Sequence, residues 1–215
     1  AWSWDFGDGN SSSLQNPTHT YAASGAYDVS LTVTTSSGSD SETKTGFINI
    51  NCLQRTYVPD DNFEAYLETH DAFFNVVAVG ASNSMGDGIA NNDYVTTANI
   101  SWVTNLFVDN QNITSLSGIE DFTALEFFGC NSNQLTSLDV SQNTALIFLY
   151  CESNQLTSLD VSQNTALFNM FCSSNQLTSL NVNGATALTD LICNSNQLTS
   201  LDVNGANSLS LLDCK

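Results

Sequence analysis

The sequence predicts a mainly β chain. A small antiparallel β-module leads, through a short helical segment, into a solenoid of stacked parallel strands. Three observations carry this. Cys130, Cys151, Cys172, Cys193 and Cys214 recur at a constant interval of 21 residues. The hexapeptide 133–138, Asn-Gln-Leu-Thr-Ser-Leu, returns at 154–159, 175–180 and 196–201. Ahead of them, 26–33 alternates apolar and polar residues, the period of a half-buried strand.

Each repeat reads L-x-x-L-x-C-x-x-N-x-L-T-x-L-D/N-V and closes with a short polar return. Leu149 and Cys151 are two residues apart, so both leave an extended strand on the same side. One such strand buries nothing alone. Strands stacked in parallel about 4.8 Å apart enclose a continuous core. This is the leucine-rich-repeat pattern, with cysteine where leucine is usual. The expectation is a right-handed solenoid with one short parallel strand per 21-residue repeat. Asn133, Asn154, Asn175 and Asn196 should turn inward and satisfy backbone groups at the bend. The return is too short for a full helix, so turns, extended chain or a little 3₁₀ are expected there. The five repeat cysteines should stack as buried thiols, because parallel Cβ vectors do not suit a disulfide. Cys52 stands apart and reads as an unpaired linker cysteine.

Residues 1–51 form the first segment. Trp4-Asp5-Phe6-Gly7-Asp8-Gly9, Asn16-Pro17-Thr18-His19-Thr20-Tyr21 and Gly25-Ala26-Tyr27-Asp28-Val29 follow in order, then Leu31-Thr32-Val33. Together they resemble the polycystic-kidney-disease (PKD) type β-sandwich domain. The resemblance implies one or two strands ahead of the Trp-Asp-Phe motif, so the sandwich is expected to be partial. Gly7-Asp8-Gly9 is a tight turn, His19 a structural residue packed beneath it, and 47–50 a closing strand.

Residues 52–101 read as a helical cap and linker. Asp61 is the expected N-cap of a helix, with Glu64 completing a capping box. Phe63, Tyr66 and Leu67 share the face that should cover the first repeat. Residues 102–215 carry the repeats. The first is divergent, built on Val103, Leu106, Val108 and Ile113. With the cysteine column they resemble internalin-type leucine-rich repeats, including the cysteine-ladder branch. The 58–64 segment with these repeats also looks like large surface proteins of Bacteroidetes that leave the cell by the type IX secretion route. That resemblance implies an extracellular or cell-surface location and contact with secretion machinery. Both ends of the chain read as cut from a longer polypeptide, so flanking domains are expected partners.

Composition narrows function. Net charge is −19, and Lys44, Arg55 and Lys215 are the only Lys and Arg. Nucleic acid and anionic membrane surfaces are poor partners for such a chain, and no apolar run is long enough for a span. His19 and His70 belong to different segments, and no H-E-x-x-H, G-x-S-x-G or C-x-x-C motif occurs. The expectation is therefore not an enzyme but a binding or adhesion module for a protein or carbohydrate. The alternatives are an accessory region of a secreted hydrolase and a structural stalk.

Residues flanking the inward positions point outward onto the open sheet. Phe127, Phe148, Tyr150, Phe171 and Ile192 should form an apolar and aromatic patch bordered by Glu152 and Asp190, the expected ligand site. No cofactor is called for. Asp5, Asp8 and Asp87 are the carboxylates a calcium ion would use if one bound, as is the column Asp139, Asp160, Asn181, Asp202; turn capping is the preferred reading of them all.

Overall fold

The computed structural model describes residues 1–50 and 53–215; Cys52 lies outside them. The chain divides into two compact units, 1–53 and 54–215.

The first unit is one antiparallel sheet. Strand β1 (Trp2–Asp5) pairs with β2 (Ser11–Ser12) and with β3 (Gly25–Thr35), and β3 pairs with β4 (Gly38–Ile50). The last strand is much longer than the expected 47–50, because it follows β3 back along its whole length. The register shifts between Tyr27 and Val29, where Asp28 Oδ1 accepts the Gly46 amide at 2.7 Å. Among the described residues of this unit, Phe6 is the buried apolar side chain. His19 stacks on it at 4.1 Å and its Nε2 pairs with Asp8 Oδ2 at 2.8 Å. The expected structural histidine is thus in place. Gly7 has φ +78°, and a Cβ there would overlap the Asp28 carbonyl oxygen.

The second unit begins with the cap: β5 (Arg55–Tyr57), α1 (Asp61–Thr69), β6 (Tyr94–Thr96) and the single-turn α2 (Thr97–Ile100). Strands β5 and β6 pair antiparallel. Asp60, not Asp61, is the N-cap: its Oδ1 accepts the Asn62 and Phe63 amides at 3.1 and 3.0 Å. The capping box fails because Glu64 is then one residue too deep. Its carboxylate instead takes the Asn92 and Asp93 amides. Glu68 holds the Asp87 and Gly88 amides in the same way. Phe63 and Leu67 are fully buried, and Phe63 packs on Phe122 of the first repeat at 6.3 Å.

The solenoid's main sheet is parallel. It contains β7 (Asn105–Phe107), β8 (Phe127–Gly129), β9 (Phe148–Tyr150), β11 (Asn169–Phe171), β13 (Asp190–Ile192) and β14 (Leu211–Asp213), each paired with the next in this order. The return carries a 3₁₀ turn at Ile119–Asp121 and two further strands, β10 (Ser158–Asp160) and β12 (Ser179–Asn181), paired in parallel. Some returns are therefore regular enough to make a second ladder beyond the expected single strand per repeat.

The core between them is formed by Leu146, Leu149, Leu156 and Leu159, all buried, and by their equivalents, of which Leu138, Leu198, Leu201 and Leu209 are partly buried and Leu212, in the last strand, is exposed. Burying one such leucine contributes about 1.5–3 kcal/mol. Cys130, Cys151, Cys172 and Cys193 are free, buried thiols; Cys214, expected in the same ladder, is exposed because no strand stacks on β14's outer side among the described residues. Burial pushes the thiols of Cys130, Cys151 and Cys172 far up, so they stay protonated and act as small apolar groups.

Asparagine fixes the bend, as expected. Asn154 Nδ2 donates to the carbonyls of Cys130 (2.9 Å), Cys151 (3.3 Å) and Glu152 (3.2 Å), while its Oδ1 accepts the Leu135 amide at 3.1 Å. Asn133, Asn175 and Asn196 repeat the pattern. At the cap the preceding repeat is replaced by a carboxylate. Thr178 donates its amide to Thr157 O of the repeat before it. Its counterpart Thr114 donates to Asp60 Oδ2 at 2.7 Å, joined by its own hydroxyl and the Ser115 amide.

Candidate functional site

Alternation puts the middle residue of each three-residue strand from β7 to β13 in the core and the other two on the outer sheet face; in β14 the middle residue, Leu212, is 45% exposed. Parallel register then lines up columns. One column is Asn105, Phe127, Phe148, Asn169, Asp190 and Leu211; the other is Phe107, Gly129, Tyr150, Phe171, Ile192 and Asp213. The middle residues Leu149, Met170 and Leu191 are fully buried, while Phe148, Tyr150, Phe171 and Ile192 are half-buried.

The aromatic residues form a continuous surface. Phe127 stacks on Phe148 with centroids 4.8 Å apart and planes 13° apart. Phe148 lies 6.3 Å from Tyr150, and Tyr150 lies 5.1 Å from Phe171. Ile192 extends the second column past Phe171. Asn169 and then Asp190 follow the aromatic part of the first column, in register. Glu152, two residues beyond Tyr150, donates its amide to Asn131 Oδ1 at 2.8 Å. The residues singled out from the sequence are thus brought together on one face.

Three further aromatics join them that sequence reasoning missed. Phe107 leans over Gly129, so closely that a Cβ at Gly129 would meet its ring at 2.6 Å. Phe74, on the cap, lies 5.4 Å from Phe107. It has φ +66°, a conformation rare for a bulky residue. The loop that presents it is gathered by Asp71, whose carboxylate accepts the Phe73 and Asn75 amides and the Asn75 and Asn83 side chains. Phe168 projects beside Phe148 at 6.3 Å and is 44% exposed. Aligning the divergent first repeat would have placed Phe107 in Gly129's column. Phe74 carried no sequence signal, because the cap's loop is not periodic.

The carboxylates weighed for calcium are occupied by their own chain. Asp5 Oδ1 accepts the Gly7 amide at 2.9 Å, and Asp8 accepts from Asn10 besides pairing with His19. Asp87 accepts the Ile89 amide and the Asn92 side chain and lies 3.5 Å from Arg55. Asp139, Asp160 and Asp202 each accept the amide two residues on. Asn181 Nδ2 also donates to Asp160 Oδ2 at 3.1 Å, relieving the charge of that column. The Ser162 hydroxyl and amide hold the Asp160 carboxyl below its usual range. Among the described residues, no group of three or more His, Cys, Asp or Glu side chains converges on a metal position. His70 stacks on Tyr66 at 4.0 Å, with Nδ1 2.9 Å from the Tyr66 carbonyl. No helix of the described residues is long and apolar enough to cross a membrane.

Comparison with known proteins gives the following likenesses. Residues 1–50 match the family model of the PKD domain. A stretch of 42 residues is 48% identical to part of collagenase ColA of Bacillus cereus, covering 20% of this chain and 4% of that protein. Among solved structures, the functional domain of InlJ from Listeria monocytogenes, which includes a cysteine ladder, is similar over 78% of this chain and 49% of its own, at 25% identity and a TM-score of 0.34. Internalin InlF of Listeria monocytogenes is similar over 72% of this chain and 55% of its own, at 22% identity and a TM-score of 0.46. The chain therefore spans a small fraction of the collagenase and about half of each internalin structure. A PKD-type domain stands at the N-terminus of this chain, ahead of a cysteine-ladder repeat solenoid.

Proposed function

We propose that the chain is a non-catalytic binding module of a secreted or surface-exposed protein, and that the aromatic sheet face of its solenoid holds a macromolecular ligand. One observation carries the reading. The inward leucines, cysteines and asparagines recur almost unchanged, while the outward columns differ between repeats and gather Phe127, Phe148, Tyr150 and Phe171 into one solvent-facing surface. Aromatics held on a rigid sheet supply a large contact area at little entropic cost. The two histidines are tied into local packing, and buried thiols with raised pKa are poor nucleophiles. The likeness of residues 1–50 to part of a collagenase supports a second reading, in which the chain is an accessory segment of a larger hydrolase.

The test is a binding screen against surface proteins and glycans. Wild type is compared with a Phe148→Ser/Tyr150→Ser/Phe171→Ser variant. A partner lost by the variant, with the melting curve still cooperative, supports the face. A partner held equally by both removes the face from the reading.

A further inference from the structure

The outer face is not only aromatic. In the second unit the cations are Arg55 and Lys215, so no Lys or Arg falls anywhere from 56 to 214. The aromatic columns run into carboxylates. Asp190 follows Phe148 and Asn169 in one column, and Asp213 follows Phe171 and Ile192 in the other. Glu152 stands beyond Tyr150. The first-repeat equivalent, Asp109, lies beyond Phe107 and takes the Asn131 amide on Oδ1 at 2.6 Å. The neighbours that touch these carboxylates are neutral donors, such as Asn194 Nδ2 on Asp213 Oδ2 at 3.1 Å. The face therefore offers aromatic rings beside anionic oxygens that form no ion pair among the described residues.

That pairing selects chemistry. A guanidinium or ammonium over an aromatic ring is attracted by the negative face of the ring, more strongly as water is excluded. A carboxylate beside the ring adds a charge-assisted hydrogen bond, which Arg can make with two parallel N–H groups. Anionic glycans and phosphates are repelled by the same oxygens. The chain already uses ring–cation chemistry in its other unit, where Lys44 Nζ lies 5.2 Å above the Phe47 ring.

Resting on the binding role given above, we propose that the occupant of this face is an extended, arginine-bearing segment of another protein, whose guanidinium groups stack on Tyr150 and Phe171 and pair with Glu152, Asp190 and Asp213. Phe107 and Phe74 continue the aromatic track, so the segment runs along the columns toward the cap.

The probe is a fluorescent peptide of alternating arginine and serine, compared with one in which neutral citrulline replaces each arginine. Binding is read by anisotropy on the whole chain. The arginine peptide binds at least about tenfold more tightly, and binding weakens with salt as partly exposed charges are screened. Tyr150→Ser/Phe171→Ser lowers arginine-peptide affinity about tenfold although the net charge stays at −19. Tyr150→Phe retains it. Asp190→Asn/Asp213→Asn, which leaves the aromatic residues and the core intact, removes the preference over citrulline.

Equal binding of the two peptides overturns the proposal. So does undiminished binding by the serine variant, since bulk attraction to an acidic protein would then explain everything. If the arginine peptide fails while the triple-serine variant still loses a partner in the screen, the cationic occupant is wrong and the face survives. If both fail, both readings fall.

Discussion

Two columns of asparagine run through the same solenoid, and the repeats treat them differently. Asn133, Asn154, Asn175 and Asn196, after the main strands, are present in every repeat of the ladder. Asn143 and Asn164, on the return, give way to Ala185 and Ala206. The difference lies in what each amide satisfies. Leu135 N donates to Asn154 Oδ1, and Cys130 O accepts from Asn133 and Asn154, so the bend's backbone groups depend on the side chains. On the return, Asn164 Nδ2 donates to Val140 O and Asn143 O at 2.9 Å each. Those carbonyls already hold the local amides of Asn143 and Leu146. The Oδ1 atoms of Asn143 and Asn164 are buried without a donor among the described residues. An asparagine that completes the backbone is indispensable; one that duplicates an existing bond and strands its own oxygen is exchangeable.

The largest effect is expected at the indispensable column. Asn154→Ala leaves Leu135 N buried and unpaired and weakens the ties of two repeats. It should cost about 3–4 kcal/mol, a large share of the 5–15 kcal/mol typical of a domain. Urea unfolding followed by far-UV circular dichroism measures it; a loss of about 1 kcal/mol or less would mean the ladder is not what holds the bend.

Next comes the place where the exchangeable column has been abandoned. With alanine at 185 and 206, glycine stands just before it, and adjacent coils close together. A Cβ on Gly184 would overlap the Ser162 carbonyl oxygen, and one on Gly205 the Asn183 carbonyl oxygen. Gly184→Ala must push backbone from backbone and should cost about 2–3 kcal/mol, whereas Gln163, at the equivalent position of the preceding repeat, already carries a side chain. If Gly184→Ala is neutral in the same unfolding assay, the coils are not close-packed there.

The cap sharpens the comparison through charge. Asp60 accepts for the first repeat what a carbonyl accepts for later ones. Burial pushes its carboxyl up, but the Thr114 hydroxyl and the amides of Thr114, Phe63 and Ser115 outweigh this and hold it low. A carboxyl lower in the folded than in the unfolded state stabilises fully above the unfolded value of about 4, and the gain is lost as pH falls through the folded value. Asp60→Asn should cost about 2 kcal/mol at pH 7, where an amide nitrogen would face donors. It should also flatten the fall in stability below pH 4; an unchanged acid slope would show that another carboxyl dominates.

Much of this was legible because a repeat states its own rules. Period, strand, inward asparagine and cysteine ladder all follow from positions that return in each unit. The aromatic columns follow from alternation once the strand is placed. What escaped lies where the period gives no guide. Asp60 replaced Asp61 as the cap because adjacent aspartates are equivalent in pattern and only the reach to Thr114 decides. Phe74 reaches the face from an aperiodic loop. The first unit showed its turn and hairpin through glycine and alternation. The length of β4 was hidden, because 38–46 is polar and exposed and shows no apolar alternation.

The smallest effect tests the exchangeable column itself. Asn164→Ala removes two hydrogen bonds to carbonyls that keep other partners, and it also removes the orphaned Oδ1. The losses are those of ordinary, replaceable hydrogen bonds, roughly 0.5–1.5 kcal/mol each, and freeing a buried unsatisfied oxygen offsets most of this. The net should be about 1 kcal/mol or less, against the three to four expected at Asn154. The two variants delete the same side chain at two points of one 21-residue coil, ten positions apart, so size and residue type are controlled, and the ratio of the two losses isolates satisfaction of the backbone. Comparable losses would mean that both columns act as simple fillers. A large gap would explain why this chain keeps one asparagine in every repeat and lets the other become alanine.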